Sequence, residues 1–192
     1  VGLGAGSGTV TEERHQLPMA EELTYTVVTP YTIRKSRTGS VLARLLGRTS
    51  AELIAAQVFA LNRDEAEAYA LTIRPGLDER DEAHRAMIRD YIRQNFGPAS
   101  DGRRHRCLLL VFRGQNAHQD VADVVGRIHI SSLTGETIRD TYGDMVYNED
   151  GSIRYFEPAV LTPDSAETAV QDLHFWMGLS RRHPALLENV CV

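Results

Sequence analysis

Lysine is nearly missing from this chain. Of its 21 Lys and Arg side chains only Lys35 is a lysine, so a site that needs a compact ammonium group must take it from there, whereas guanidinium forks are plentiful. Cysteine is equally sparse: Cys107 and Cys191 supply neither a disulfide framework nor a zinc-ligand pattern, and they read as free thiols. No apolar run approaches the roughly 18 residues of a membrane-spanning helix. Val1 to Arg14 lacks the charged-then-apolar order of a secretory signal, and a cytoplasmic setting is expected. The first residue is Val1 rather than Met, as in a processed or trimmed N-terminus. Cationic excess is absent too. A formal net charge of −5 excludes a general nucleic-acid binder, whose affinity accumulates from contacts between cations and phosphates; the local cluster Arg103 to Arg106 reads as a solvated turn.

What is present suits one generous globular domain: 192 residues, 42% hydrophobic and 24% charged, can bury a sizeable core. The Gly/Ser-rich Val1 to Thr9 reads as flexible, which divides the chain into a tail over residues 1–15 and a domain over 16–192. Leu23 to Val28, rich in β-branched and aromatic residues and closed by Pro30, predicts a first strand. Thr38 to Leu46 puts Val41, Leu42, Leu45 and Leu46 on one helical face and stops at Gly47. Glu52 to Leu61 has the apolar density of a second strand. Asn62 or Asp64 caps a helix through Tyr69, and Asp81 to Phe96, halted by Gly97-Pro98, forms a longer one. Cys107 to Phe112 reads as a buried strand and Val121 to Ile128 as a helix. Thr141 to Tyr147 and Ile153 to Phe156 flank Asn148-Glu-Asp-Gly151, a hairpin signal because Asn, Asp and Gly tolerate positive φ. Asp164 to Met177 is a last helix with Asp164 or Ser165 as N-cap. The order β-α-β-α-α-β-α-β-hairpin-α points to one sheet with helices packed on it. Asn189-Val-Cys-Val192 is apolar, strand-like and unterminated, which suggests further protein beyond Val192.

Several segments, in order along the chain, resemble nucleoside diphosphate kinases. Glu22 to Gly39 is similar to that family's opening strand and loop, where an apolar strand runs into Lys-Pro-Asp, a basic residue and the glycine that starts the first helix; Pro30 and Gly39 fall in place. Gly135-Glu-Thr-Ile-Arg139 resembles the family's Pro-Gly-Thr-Ile-Arg, whose arginine binds nucleotide phosphates. Gly126-Arg127 resembles the glycine and phosphate-binding arginine on the preceding helix. Asp164 to Trp176 follows the family's helix Asp-Ser-x-x-x-Ala-x-x-Glu-Ile-x-x-Trp, with Ala169 one place late. The resemblance spans Glu22 to Met177. It implies an α+β fold with a ferredoxin-like βαββαβ core, an antiparallel sheet with helices packed on it, an inserted hairpin, and assembly into dimers, tetramers or hexamers.

Members of that family pass a phosphoryl group through an imidazole, which requires a nucleophile, cations for the phosphoryl oxygens and donors on the leaving oxygen. Counted back from the last helix, the family's Asn-x-x-His-Gly-Ser-Asp falls on Pro158-Ala-Val-Leu161-Thr-Pro163-Asp164. Leu161 stands at the histidine and Thr29 at the first-strand lysine, so the resemblance leaves no catalytic residue. Pro158 and Pro163 remove the asparagine and serine and stiffen the loop. Lys35 is the one nearby lysine that could substitute. The family's aromatic base clamp is reduced to Arg74-Pro-Gly-Leu77. Arg127, Arg139 and Tyr69 remain as nucleotide- or phosphate-binding residues, the arginines because their forks suit phosphate oxygens; Mg2+ and a nucleotide are expected only if binding is retained. Asp172, at the family's acidic position near the histidine, reads as a solvated helix carboxylate. His15 lies in the tail, and His84, His105, His118, His129, His174 and His183 read as surface or capping groups away from the site loop.

The expectation is therefore a catalytically inactive or strongly impaired nucleoside-diphosphate-kinase-like domain with an assembly or regulatory role. It would form a homo-oligomer through Val41, Leu42, Leu45, Ile54 and Val58 of the first helix and second strand. The alternatives are a nucleotide or phosphate sensor built on Arg127 and Arg139, and an active kinase working through a relocated nucleophile.

Overall fold

A computed structural model describes residues 21–128, 134–150 and 153–183; the expected tail over 1–15, His129 and the final apolar segment lie outside the described residues. Strand β1 (Glu22–Val28) sits inside a four-stranded antiparallel sheet ordered β2 (Glu52–Phe59), β3 (Cys107–Gly114), β1, β6 (Val160–Leu161). Side chains alternate across β1. Val28, with Leu110, Phe112 and Val160, meets α2 (Thr38–Arg48), α5 (Ala117–Val125) and α6 (Ile138–Tyr142) on one face. Tyr25 and Val27, with Leu109 and Leu161, meet α3 (Arg63–Ala70), α4 (Glu79–Asn95) and α7 (Ala166–Arg182) on the other. The four strands with crossover helices α2 and α5 trace the expected ferredoxin-like βαββαβ core. Helices α3 and α4 are inserted between β2 and β3. A separate antiparallel hairpin of β4 (Asp144–Tyr147) and β5 (Ile153–Glu157) is inserted before β6.

Local chemistry explains most boundaries, including those that depart from the sequence reading. Helix α3 begins where Asn62 and Glu65 exchange side-chain and backbone hydrogen bonds, each 2.9 Å. Asp78 rather than Asp81 caps α4, so that helix starts earlier than expected. Ser165, not Asp164, caps α7, with Thr168 returning the bond. Gly47 does not end α2: the helix runs through it to Arg48 and stops at Thr49, in extended conformation. Helix α5 lies four residues ahead of the expected Val121 to Ile128, because Ala117 is already in the core and Gly126, at φ 83°, ends it. Thr141 and Tyr142 belong to α6, whose cap is Thr137, rather than to a hairpin strand. The short elements α1 (Pro30–Arg34) and β6 were not foreseen; neither is long enough to show a period. Gly151 of the expected hairpin turn lies outside the described residues.

One expectation about assembly changes here. Val41 and Leu45 face the chain's own sheet and are fully buried in its core, whereas Ile54 and Val58 are 42% and 38% exposed.

Candidate functional site

A cleft of about 310 Å³ opens between α4, one side of α5 and the loop from β6 to α7. Tyr69, Arg127, Arg139 and Leu161 all line it, although they come from four different segments. The positioning starts at Gly126. A Cβ on this residue would lie 2.4 Å from Thr137 Oγ1, so only glycine lets the end of α5 close against the cap of α6. That contact delivers Arg139 to the cleft, where its Nη1 donates to the Gly126 carbonyl at 2.6 Å and its Nη2 to the Val160 carbonyl at 3.3 Å.

Arg139 is only 6% exposed, and among the described residues no carboxylate pairs with it. Its Nε is buried without a hydrogen-bond partner. Burial lowers its pKa to about 10, against which the charge of Asp164 acts; the guanidinium is still a cation at neutral pH. A buried cation with no carboxylate bonded to it, beside a cleft, favours an anion there, because the local dielectric screens little. Arg127 stands exposed at the rim.

Leu161 is 3% exposed and packs into the core that holds Tyr25 and Val27. Its side chain adds an apolar surface to the cleft. Thr29 is fully buried and serves as the N-cap of α1: its hydroxyl accepts from Thr32 N at 3.3 Å, while Thr32 donates to the Ala159 carbonyl at 2.8 Å. Lys35 ends α1 with its ammonium 5.5 Å from the Tyr31 ring centroid, and it does not line the cleft. The only lysine in the chain is thus no replacement. Tyr69 is held by rings, stacked on Phe175 at 5.8 Å and edge-on to Phe96 and Trp176.

Two readings from sequence are overturned. Asp172 is not solvated: it is 6% exposed and accepts a hydrogen bond from the Tyr25 hydroxyl at 2.9 Å. Burial raises its pKa to about 6, against the opposing effects of that bond and of Arg74. Histidine is not remote from the site either. His84 and His118 both line the cleft, and the Nδ1 of His118 is buried without a partner. The signal was available in retrospect, since His118 and Ala122 lie four apart on the same face of α5. A helix read as Val121 to Ile128 leaves His118 off that face, whereas α5 spans Ala117–Val125. Asp81, Asp123 and Asp164 also line the cleft. Among the described residues no three His, Cys, Asp or Glu converge on a metal position, though a Mg2+ arriving with phosphates needs only one or two carboxylates.

No protein-family model matches the sequence, and no curated protein matches it. Solved structures do. A nucleoside diphosphate kinase from Aquifex aeolicus superposes with a TM-score of 0.56 at 18% identity, over 82% of this chain and 95% of that one. The enzyme from Borrelia burgdorferi, a transition-state mimic with bound vanadate and ADP, gives 0.61 at 16% identity over 81% and 86%. An NDP kinase from Pyrobaculum aerophilum gives 0.58 at 16% over 82% and 96%. The chain has the nucleoside diphosphate kinase fold. The likeness covers most of the length of each of these kinases. Among the described residues no helix is long and apolar enough to cross a membrane.

Proposed function

We propose that this nucleoside-diphosphate-kinase-like domain binds a phosphate-bearing ligand of the nucleotide class at Arg139 and Arg127, and does not run the phosphoryl exchange. Its role is then assembly or regulation. The observation that carries the binding half is the buried Arg139 cation, which faces the cleft without a carboxylate partner among the described residues. The observation that carries the inactive half is Leu161 at the family's histidine position, buried in an apolar wall, with Thr29 capping a helix where the family has lysine. The same reading places the domain in the cytoplasm, where nucleotides are at hand, and as a homo-oligomer that pairs through β2.

A thermal shift with ADP tests binding: saturation at a hundredfold above Kd stabilises by about 2.7 kcal/mol, and no shift at millimolar ADP would remove the binding half. A coupled assay with ATP and a second nucleoside diphosphate tests the rest. Turnover in the ordinary enzymatic range of about 1 to 1,000 per second would overturn it. The alternative of a relocated nucleophile is favoured by one finding, the two cleft histidines. Acid-labile label from ATP that disappears in His118→Ala or His84→Ala would establish it.

A further inference from the structure

The cleft contains a third guanidinium that is already engaged. Arg85, on α4, is held from its own helix by Asp81, whose two carboxylate oxygens each lie 3.0 Å from Arg85 Nε. This i,i+4 contact fixes the plane of the fork. The outer nitrogen Nη1 reaches across to the Asp164 carboxylate just before α7, a direct ion pair. Asp81, Arg85 and Asp164 line the same cleft as Arg127 and Arg139. The Asp164 charge also acts on Arg139 more than any other group that favours the cation. Asp164 is therefore bonded directly to Arg85 and favours the Arg139 cation only through its charge, with no ion pair between them among the described residues.

We propose that Asp164 is a built-in competitor for the cleft's anion, and that a phosphate-bearing ligand binds by displacing it and recruiting Arg85 beside Arg127 and Arg139. This rests on the reading of the cleft as a phosphate site. Exchange is feasible because the Asp164 side chain is 54% exposed, and an ion pair of that kind holds weakly against water and salt. A phosphate presents several charged oxygens to the same fork and binds it more strongly than one carboxylate does. Asp81 keeps Arg85 oriented while its partner changes. Arg85 thereby becomes a residue that sets affinity, and Asp164 a latch that lowers it.

Calorimetric titration of the whole chain with pyrophosphate and with ADP, at fixed salt, tests the exchange. Asp164→Asn should tighten both probes about threefold to tenfold, and Arg85→Gln should weaken both relative to wild type. The gain should vanish in the double variant. Thermal melts of each variant check that it folds, above all for Arg85, whose side chain is 19% exposed against 54% for Asp164. Unchanged affinity in Asp164→Asn, with wild type binding normally, would overturn the latch and leave the phosphate cleft standing. A gain that persists without Arg85 would overturn the recruitment, as would a gain for ADP alone. Absence of binding in all four proteins would overturn the cleft reading itself.

Discussion

The Tyr25 hydroxyl donates to Asp172 Oδ2 at 2.9 Å, tying the first strand to the last helix inside the core. Asp172 is buried with a phenol as its one side-chain hydrogen-bonding partner among the described residues, which is a poor substitute for water around a carboxylate. Its pKa of about 6 follows. Because this value exceeds that of an unfolded aspartate, the folded state holds the proton more tightly. The contribution to stability is full below about pH 4 and is lost as pH rises through 6. Asp172→Asn, which keeps the acceptor and removes the charge, should be more stable than wild type at pH 7 by about 1 to 2 kcal/mol. The gap should narrow as pH falls and close only below about pH 4. Denaturant melts of both proteins across pH 4 to 8 measure it, and a constant difference would contradict the assignment.

An imidazole placed at position 161 should not bring about phosphoryl exchange. Leu161→His puts a polar ring into a wall of Tyr25 and Val27 that is 3% exposed at this position, at a cost of about 1 to 3 kcal/mol. The Asp172 carboxylate is already bonded to Tyr25, and Thr29 to the start of α1. Residues that act as a unit are strongly non-additive. Incubation of the variant with labelled ATP should leave no phosphohistidine; substantial labelling would show that the rest of the site is competent.

How much of this was legible in the sequence depends on what each residue does locally. The β-branched and aromatic run Leu23 to Val28 before Pro30 and the helical spacing of Met87, Ile88, Tyr91, Ile92 and Phe96 are local signals, so β1, α4 and the sheet-with-helices plan could be read directly. Asn62 and Ser165 announce their helices through caps. The cleft was half legible: Arg127, Arg139, Tyr69 and Leu161 were singled out, and all four line it. What escaped depended on tertiary contact. Asp172 looks like any helix carboxylate until Tyr25 reaches it from a strand 147 residues away. Arg85 and Asp164 are unremarkable charges until α4 and the start of α7 meet across the opening. Val41 and Leu45 have the spacing of an apolar face, but spacing does not say whether that face meets the chain's own sheet or another copy.

Gly126 should tolerate no side chain. Its φ of 83° lies in the region that favours glycine, and an added Cβ would stand 2.4 Å from Thr137 Oγ1 and 2.5 Å from its Cβ. Gly126→Ala must therefore move α5 and the cap of α6 apart, with a loss of about 2 kcal/mol or more. Since the Gly126 carbonyl accepts from Arg139 at 2.6 Å, ADP affinity should fall in the same variant. A melt within about 0.5 kcal/mol of wild type would show that the contact yields cheaply.

The last expectation concerns β2, which ends the sheet order and so, among the described residues, leaves one row of backbone donors and acceptors without a neighbouring strand. Such an edge is a pairing hazard unless it is covered. Here it carries Ile54 and Val58, 42% and 38% exposed. Charge, the usual device for keeping an edge apart from others, is confined on β2 to Glu52 at its start. A two-fold contact that lays β2 against β2 of a second copy would pair the backbone groups and bury Ile54 and Val58 on both sides at once, because an isologous interface uses the same patch twice. Light scattering should return twice the 21.4 kDa chain mass. Ile54→Arg places a charge on the shared edge, away from the cleft residues, and should yield the monomer while leaving the ADP thermal shift in place. A wild-type mass of 21.4 kDa across a wide concentration range would sink the dimer, and the edge would then have to be covered by another part of the protein or another partner.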